Sequence, residues 1–107
     1  MLPKKNRLEK KEVDLVFKLG KFINSPHLTF KFVVNQGTFP RISFIAPKSV
    51  AKLAVKRNLL RRCGYKALEK YINDFPANIL GAFIFKKYQD DVLILQDEIK
   101  NILKKIN

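Results

Sequence analysis

The chain has 107 residues and a net charge of +13, from 22 Lys and Arg against nine Asp and Glu, and 47% of its residues are hydrophobic. This apolar content argues against intrinsic disorder, and the length fits a single domain over residues 1–107. The single cysteine excludes an intramolecular disulfide, and no apolar run approaches the roughly 20 residues of a membrane-spanning helix.

The first predicted element is a helix over residues 8–20, where two adjoining apolar stripes are interspersed with charged residues and Gly20 can end the helix. Residues 28–35 alternate with a period of two, which indicates a strand with one well-buried face. Residues 41–46 are a second predicted strand. The turn residues 35–40 between the two strands favour an antiparallel hairpin.

Helical periodicity returns near residue 52 and continues to about residue 73. Residues 79–85 are short, apolar and bounded by turn residues, which predicts a central strand. Asp90 or Asp91 can cap a last helix, which carries a continuous apolar stripe. The order α-β-β-α-β-α predicts an α+β fold, a sandwich of helices packed on a small sheet.

The second predicted helix lies in the most basic part of the chain. Residues 48–62 hold six cations and no acid, and residues 41–70 hold nine cations against one acid. A local excess of this kind indicates an anionic partner, most commonly nucleic acid. A helical wheel gives this helix an apolar arc of Leu59, Leu60, Cys63, Ala67 and Tyr71. The opposite arc holds the residues that we expect to contact nucleic acid: Arg57, Asn58, Arg61, Arg62 and Tyr65.

These residue types suit a polyphosphate partner. Arg57 and Arg61 are four residues apart, so their guanidiniums lie side by side and each can take a phosphate bidentately. Asn58 can bond a base edge or a ribose hydroxyl, and Tyr65 can stack on a base. The alternative is a solvated helix face, but such a face normally intersperses acids, and here only Glu69 appears, near the helix end. The pattern therefore favours RNA or DNA binding.

Several segments of the chain match the motifs of a known family, in the same order and at the same spacing. The family pattern is a strand end, then a Val-Ala step, then a helix with the motif Arg-Asn-Arg. The matching segments here are Phe44-Ile-Ala-Pro-Lys48, Val50-Ala51 and Ala54-Val-Lys-Arg-Asn-Leu-Leu-Arg-Arg62. Leu2-Pro-Lys-Lys-Asn-Arg-Leu8 and Val16-Phe17-Lys-Leu-Gly20 are similar to the family's opening segments. The family that the chain resembles is the protein subunit of bacterial ribonuclease P. Leu59 stands where the family has the second Arg of its motif, and Val13 where it often has an aromatic residue.

The resemblance implies a two-layer α/β sandwich of ribosomal-protein-S5-domain-2-like type with a left-handed βαβ crossover. It also implies a protein cofactor of a ribozyme, the endoribonuclease that removes the 5′ leader of precursor tRNA in tRNA maturation. The RNA subunit would carry the chemistry, so no catalytic residue is expected on this chain. Expected partners are ribonuclease P RNA and precursor tRNA, with one protein per RNA and no membrane. Mg²⁺ is expected for the holoenzyme, and no cofactor on the protein itself.

The resemblance assigns two RNA-binding sites to matching positions of this sequence. The resemblance places Arg57, Asn58, Arg61 and Arg62 against the catalytic RNA, with Lys48 and Lys52 beside them. It places six residues in a cleft for the single-stranded leader, between the first helix and one sheet face: Val13, Phe17, Thr29, Lys31, Ser43 and Ile45.

The residues themselves agree with a leader cleft. Thr29 and Lys31 lie on the less apolar face of their strand, and a cation, an aromatic ring and small polar groups suit single-stranded RNA without sequence preference. Two alternatives remain, namely that Phe17 only packs the first helix and that Lys31 is an exposed strand cation.

The sequence offers little support for a catalytic or metal site on the protein. His27 is the only histidine and is predicted to lie at the surface, and Cys63 is predicted to be an inert core thiol. Helix capping and first-turn charge account for most of the acids between Asp90 and Glu98. The N-terminus lacks the apolar core of a signal peptide, so a cytoplasmic protein is expected. A structural rRNA-binding protein of ribosomal type and a DNA-binding regulator remain alternatives.

Overall fold

The computed structural model describes residues 7–34 and 39–106, which form a four-stranded sheet and three α-helices. In chain order the elements are α1 (Lys10–Leu19), β1 (Lys21–Asn24), β2 (Leu28–Val34), β3 (Arg41–Ile45), α2 (Ala54–Glu69), β4 (Ile79–Phe85) and α3 (Val92–Ile106). A 3₁₀ turn, Ile72–Asp74, follows α2. These elements confirm the predicted class and order and add β1, which the sequence did not predict. None of the described helices has both the length and the hydropathy of a membrane span.

The strands lie in the order β1-β2-β4-β3, and only the pair of β3 and β4 is parallel among the described strands. The predicted hairpin between β2 and β3 is therefore wrong, because β4 lies between them. Six of the seven residues of β4 are buried, and a strand that is apolar on both faces takes the centre of a sheet. The predicted turn falls largely on residues 35–38, which lie outside the described residues. The parallel connection through α2 forms a βαβ unit.

The main core lies between the sheet and the pair α2 and α3. Phe83 of β4 is at its centre, with ring centroids 4.3 Å from Phe30 of β2 and 4.9 Å from Phe44 of β3. Leu60 of α2 and Ile99 of α3 are fully buried in the same cluster. The predicted sandwich of helices on a small sheet is thus confirmed.

Of the described helices, α1 alone packs on the opposite face of the sheet. Val16 is fully buried there against Leu80 and Ala82 of β4. Arg41, at the start of β3, pairs with Glu12 of α1 at 3.1 Å. These contacts fix α1 over one part of the face, and the remainder of the face stays accessible.

A buried carboxylate holds the turn between β1 and β2 against α3. Glu98 is 5% exposed, and its Oε1 accepts the Ser25 hydroxyl at 2.5 Å and the His27 backbone N–H at 2.8 Å. Its Oε2 lies 2.7 Å from His27 Nδ1. His27 is therefore not the surface residue that was predicted, and Glu98 is not a solvated acid near a helix start. Asp91 does cap α3 as predicted, since its Oδ1 accepts the Leu93 N–H at 2.9 Å.

Replacing Glu98 with Ala leaves the His27 N–H without its acceptor and the Ser25 hydroxyl with the Leu28 carbonyl oxygen, 3.0 Å away, in place of the carboxylate. We expect the free energy of unfolding to fall by about 2–3 kcal/mol, measured by urea denaturation. Asp97→Ala, which removes the exposed neighbouring acid on α3, is the matched control and should change it by less than about 0.5 kcal/mol. Equal stabilities of the two variants would contradict a structural role for the buried carboxylate.

Candidate nucleic-acid interface

The basic helix α2 approaches the sheet closely at Gly64. A Cβ atom placed on Gly64 would lie 2.5 Å from Cδ2 of Phe44, so this approach requires glycine. The next residue, Tyr65, accepts the Phe44 N–H on its hydroxyl at 3.2 Å and packs edge-on against the Phe44 ring, with centroids 5.1 Å apart. Leu60 and Leu68 are fully buried on the same side. The other side of α2 is therefore held outward in a fixed orientation.

The outward side of α2 borders a shallow concavity of about 560 Å³. Asn58 and Arg62 are exposed at its edge, Arg61 is half-buried, and Nη2 of Arg61 donates to Oδ1 of Asn58. Arg7, from the segment before α1, lines the same concavity. The structure thus brings four predicted residues together, since Tyr65 also lines the concavity, and adds Arg7. The only signal for Arg7 in the sequence was its charge within the family's opening segment.

Arg57 differs from the other arginines because part of its guanidinium is used within the protein. Its Nη1 donates to the carbonyl oxygens of Ala51, at 3.0 Å, and Lys52, at 2.7 Å. These bonds tie the loop after β3 to the first turn of α2, and Lys48 and Lys52 are exposed on that loop. An anion bound by Arg57 would therefore be held through the remaining Nε and Nη2 donors, which still allow the predicted bidentate contact.

The helical wheel misplaced three residues of α2. Tyr65 is 7% exposed and packs in the core, so the prediction that it stacks on a base is wrong. Leu59 and Cys63 were predicted to face the core and are only half-buried. The physical reason is the close contact at Gly64. Since successive residues of a helix are about 100° apart, a helix that packs through Gly64 has its buried face about 100° away from the direction of Cys63.

The start of α2 carries charge of the wrong sign for its helix dipole. Leu53 precedes the helix and makes no side-chain capping bond, and the first turn, all of it described, contains no acid. Lys56 and Arg57 lie there instead. Cations at a helix N-terminus cost stability, whereas an anion at the same place is stabilised by the dipole. This conflict between local preference and fold is typical of a binding site for anions.

A second candidate surface lies on the opposite face of the sheet, beside α1. Residues paired across adjacent strands point to one face. Two rows of such partners cross β2, β4 and β3: Lys31, Ala82 and Ser43 in one, and Thr29, Ile84 and Ile45 in the other. The helix α1 covers the first row at Ala82 and leaves the second half-buried. We call the second row, with Lys31, Ser43 and the adjacent side of α1, the groove.

The groove unites the four predicted strand residues and adds Ile84. Ile84 is the one half-buried residue of β4, and the uniformly apolar sequence of that strand gave no signal for it. Phe17 of α1 is 41% exposed, and Nζ of Lys31 lies 5.1 Å from its ring centroid. Val13, one turn earlier on α1, is half-buried. Phe17 is therefore not a core residue, and it forms a cation–π contact at the groove edge.

Two hydroxyls of the groove already have partners within the protein. Ser43 Oγ accepts the Leu8 N–H at 2.9 Å, and Thr29 Oγ1 donates to Asn24 Oδ1 at 2.8 Å. Each hydroxyl keeps capacity for a ligand, because Ser43 can still donate its hydrogen and Thr29 can still accept. The groove therefore combines an aromatic ring, a cation, a donor and an acceptor on an apolar floor.

Among the described residues no three His, Cys, Asp or Glu side chains lie close enough together to hold a metal ion. Partial burial, and then the nearby Asp90, raise the pKa of the Cys63 thiol. A raised pKa disfavours the thiolate, which is the form that a cysteine nucleophile needs.

The comparisons with known proteins agree on one family. The family model described as Ribonuclease P matches residues 2–107. The structure is similar to the RNase P protein from Thermotoga maritima, with a TM-score of 0.82 and 21% identity over 94% of this chain and 97% of that one. It is also similar to the Staphylococcus aureus RNase P protein, with a TM-score of 0.79 and 17% identity over 95% of each chain. No curated protein sequence matches.

Adding a methyl group at Gly64 tests how α2 is seated. Gly64→Ala should lower the free energy of unfolding by about 1–3 kcal/mol, because the Phe44 ring or the helix must move. Urea denaturation measures the change, with the exposed Lys66→Ala on the same helix as a control near zero. A gain of about 1 kcal/mol, which this replacement gives in an unpacked helix, would contradict the close approach.

Proposed function

The chain belongs to the ribonuclease P protein family, and from this premise we propose how it acts as the protein subunit of that tRNA-processing endoribonuclease. The outward face of α2 binds the RNA subunit. The groove beside α1 holds the single-stranded 5′ leader of precursor tRNA. The RNA subunit, bound one to one and supplied with Mg²⁺, cleaves the leader, and this chain positions the substrate. Family membership favours this function over a ribosomal rRNA-binding protein.

The charge of α2 is the observation that carries the first site. Asn58, Arg61 and Arg62 border one concavity, and Lys56 and Arg57 occupy a first turn without an acid. Binding of RNA phosphates here would release counterions and would offset the unfavourable interaction of these cations with the helix dipole. The arrangement costs stability in the isolated protein and is favourable in the complex.

The chemistry of the groove supports the second site. Phe17 offers an exposed ring, Lys31 a cation beside it, and Thr29 and Ser43 offer hydroxyls. Stacking on an aromatic ring tolerates any base, because every base has a π face. One such groove can therefore serve precursor tRNAs whose leaders differ in sequence.

Removing two cations from α2 tests the first site. For the Arg61→Ala, Arg62→Ala double variant, the slope of log affinity against log salt for a matched ribonuclease P RNA should become shallower by about 2. Filter binding at a series of salt concentrations measures it. The Lys104→Ala, Lys105→Ala variant, in the last turn of α3, changes the net charge equally and should keep the original slope. Equal slopes for the two double variants would count against the assigned face.

Reconstitution tests the whole proposal. With a matched bacterial ribonuclease P RNA at low Mg²⁺, the protein should stimulate cleavage of precursor tRNA at the 5′ end of the mature sequence. Failure to stimulate would sink the proposed function.

The same reconstituted enzyme tests the groove. Phe17→Ala should weaken binding of precursor tRNA about tenfold and leave binding of mature tRNA unchanged, because mature tRNA has no leader to stack. Leu19→Ala, which truncates a 71% exposed residue on the same helix, is the control. Equal losses for precursor and mature tRNA would show that Phe17 does not contact the leader.

A further inference from the structure

We propose that the groove continues across the edge strand β1 and that Phe22 is a second stacking site for the single-stranded leader. The inference rests on the proposed leader groove, but it assigns residues of a strand that none of the family motifs includes. It gives the groove two aromatic residues, both next to Lys31: Phe17 on α1 and Phe22 across the strand pair.

The register of β1 on β2 places Phe22 on the groove face. Phe22 pairs with Lys31, and Asn24 pairs with Thr29, so the two rows that cross the sheet each gain one residue on β1. The Thr29 hydroxyl bonds Asn24 Oδ1 at 2.8 Å, which joins the side chains of one row directly. The groove floor therefore spans all four strands.

Phe22 is exposed to solvent, whereas the next residue of the strand, Ile23, is not. Phe22 is 63% exposed, whereas Ile23, which points to the other face, packs against the main core. An exposed phenylalanine at an edge strand adds nothing to the core. Cross-strand partners bring their Cβ atoms to about 5 Å, and Lys31 already lies over the Phe17 ring. The three side chains therefore form an aromatic, cation, aromatic series.

The chemistry of this series fits a nucleic acid strand better than an apolar protein segment. Two rings can each stack a base, and Lys31 between them can pair with the linking phosphate. An apolar segment laid over the same place would have to remove the Lys31 ammonium from water without a counter-charge, which is costly. The occupant that we assign is therefore the 5′ leader.

The strand that carries Phe22 is held firmly. Ser25 and His27 follow β1 directly, and both bond the buried Glu98 of α3. This attachment fixes the end of an edge strand that has a neighbour on one side only within the described sheet. Phe22 is thus presented on a rigid element, as a stacking site requires.

The test uses the reconstituted holoenzyme and precursor tRNAs whose leaders are shortened one nucleotide at a time. Phe22→Ala should weaken binding of the substrate with the longest leader about tenfold and leave binding of mature tRNA unchanged. The leader length at which this loss disappears should differ from the length found for Phe17→Ala, because the two rings stand on different elements, β1 and α1. Val34→Ala, which truncates a 66% exposed residue on the other face of β2, should match the wild type.

Phe22→Trp provides a rescue and a direct signal. The larger ring should restore affinity to near that of the wild type. Since the chain contains no Trp, the fluorescence of the new indole reports this position alone. Precursor tRNA should quench it, and mature tRNA should not.

Three results would overturn the inference. If Phe22→Ala binds substrates of every leader length with wild-type affinity, Phe22 is not part of the site. If Phe17→Ala still loses affinity for precursor tRNA alone in that case, the proposed groove stands without Phe22. Equal losses for precursor and mature tRNA in both variants would remove the groove itself. A change from dimer to monomer on Phe22→Ala, seen by sedimentation without a precursor-specific loss, would instead assign this edge of the sheet to self-association.

Discussion

The contact between Gly64 and the Phe44 ring sets the position of α2, and with it the direction of the basic face. The backbone N–H of Phe44 bonds the Tyr65 hydroxyl, so helix and strand are joined by packing and by a hydrogen bond at one place. The neighbours of Phe44 on β3, Ser43 and Ile45, point to the opposite face and line the groove. One strand therefore supports both proposed RNA sites, back to back, and little relative movement between them is possible.

The two sites differ in what they cost the free protein. At α2 the fold tolerates cations at a helix start, an unfavourable arrangement that bound phosphate would reverse. In the groove, the Phe17 ring stays in contact with water. The protein loses only the hydrophobic stabilisation that burial of this ring would have contributed. Because a ligand that binds only the native state stabilises it, association with RNA would raise the stability of this protein.

Local sequence patterns predicted the local features, and contacts distant in sequence accounted for the errors. The helices, the alternation of β2 and the basic face follow from periodicity within one element. The strand β1 has four residues, too few to show a period, and the pairing of β4 between β2 and β3 depends on contacts far apart in the chain. Glu98 bonds residues 71 and 73 positions away. The inward turn of Tyr65 depends on the neighbouring Gly64, which an ideal wheel ignores.

Tyr65 is the only aromatic residue in the sequence of α2, and it faces the core. The α2 surface therefore has charge and hydrogen bonds with which to hold RNA, and affinity of that kind falls steeply as salt competes for the phosphates. The groove adds stacking between uncharged rings, which dissolved ions do not screen. If the two surfaces act as proposed, a rise in ionic strength would weaken the attachment of α2 to the RNA subunit sooner than the hold of the groove on the single strand.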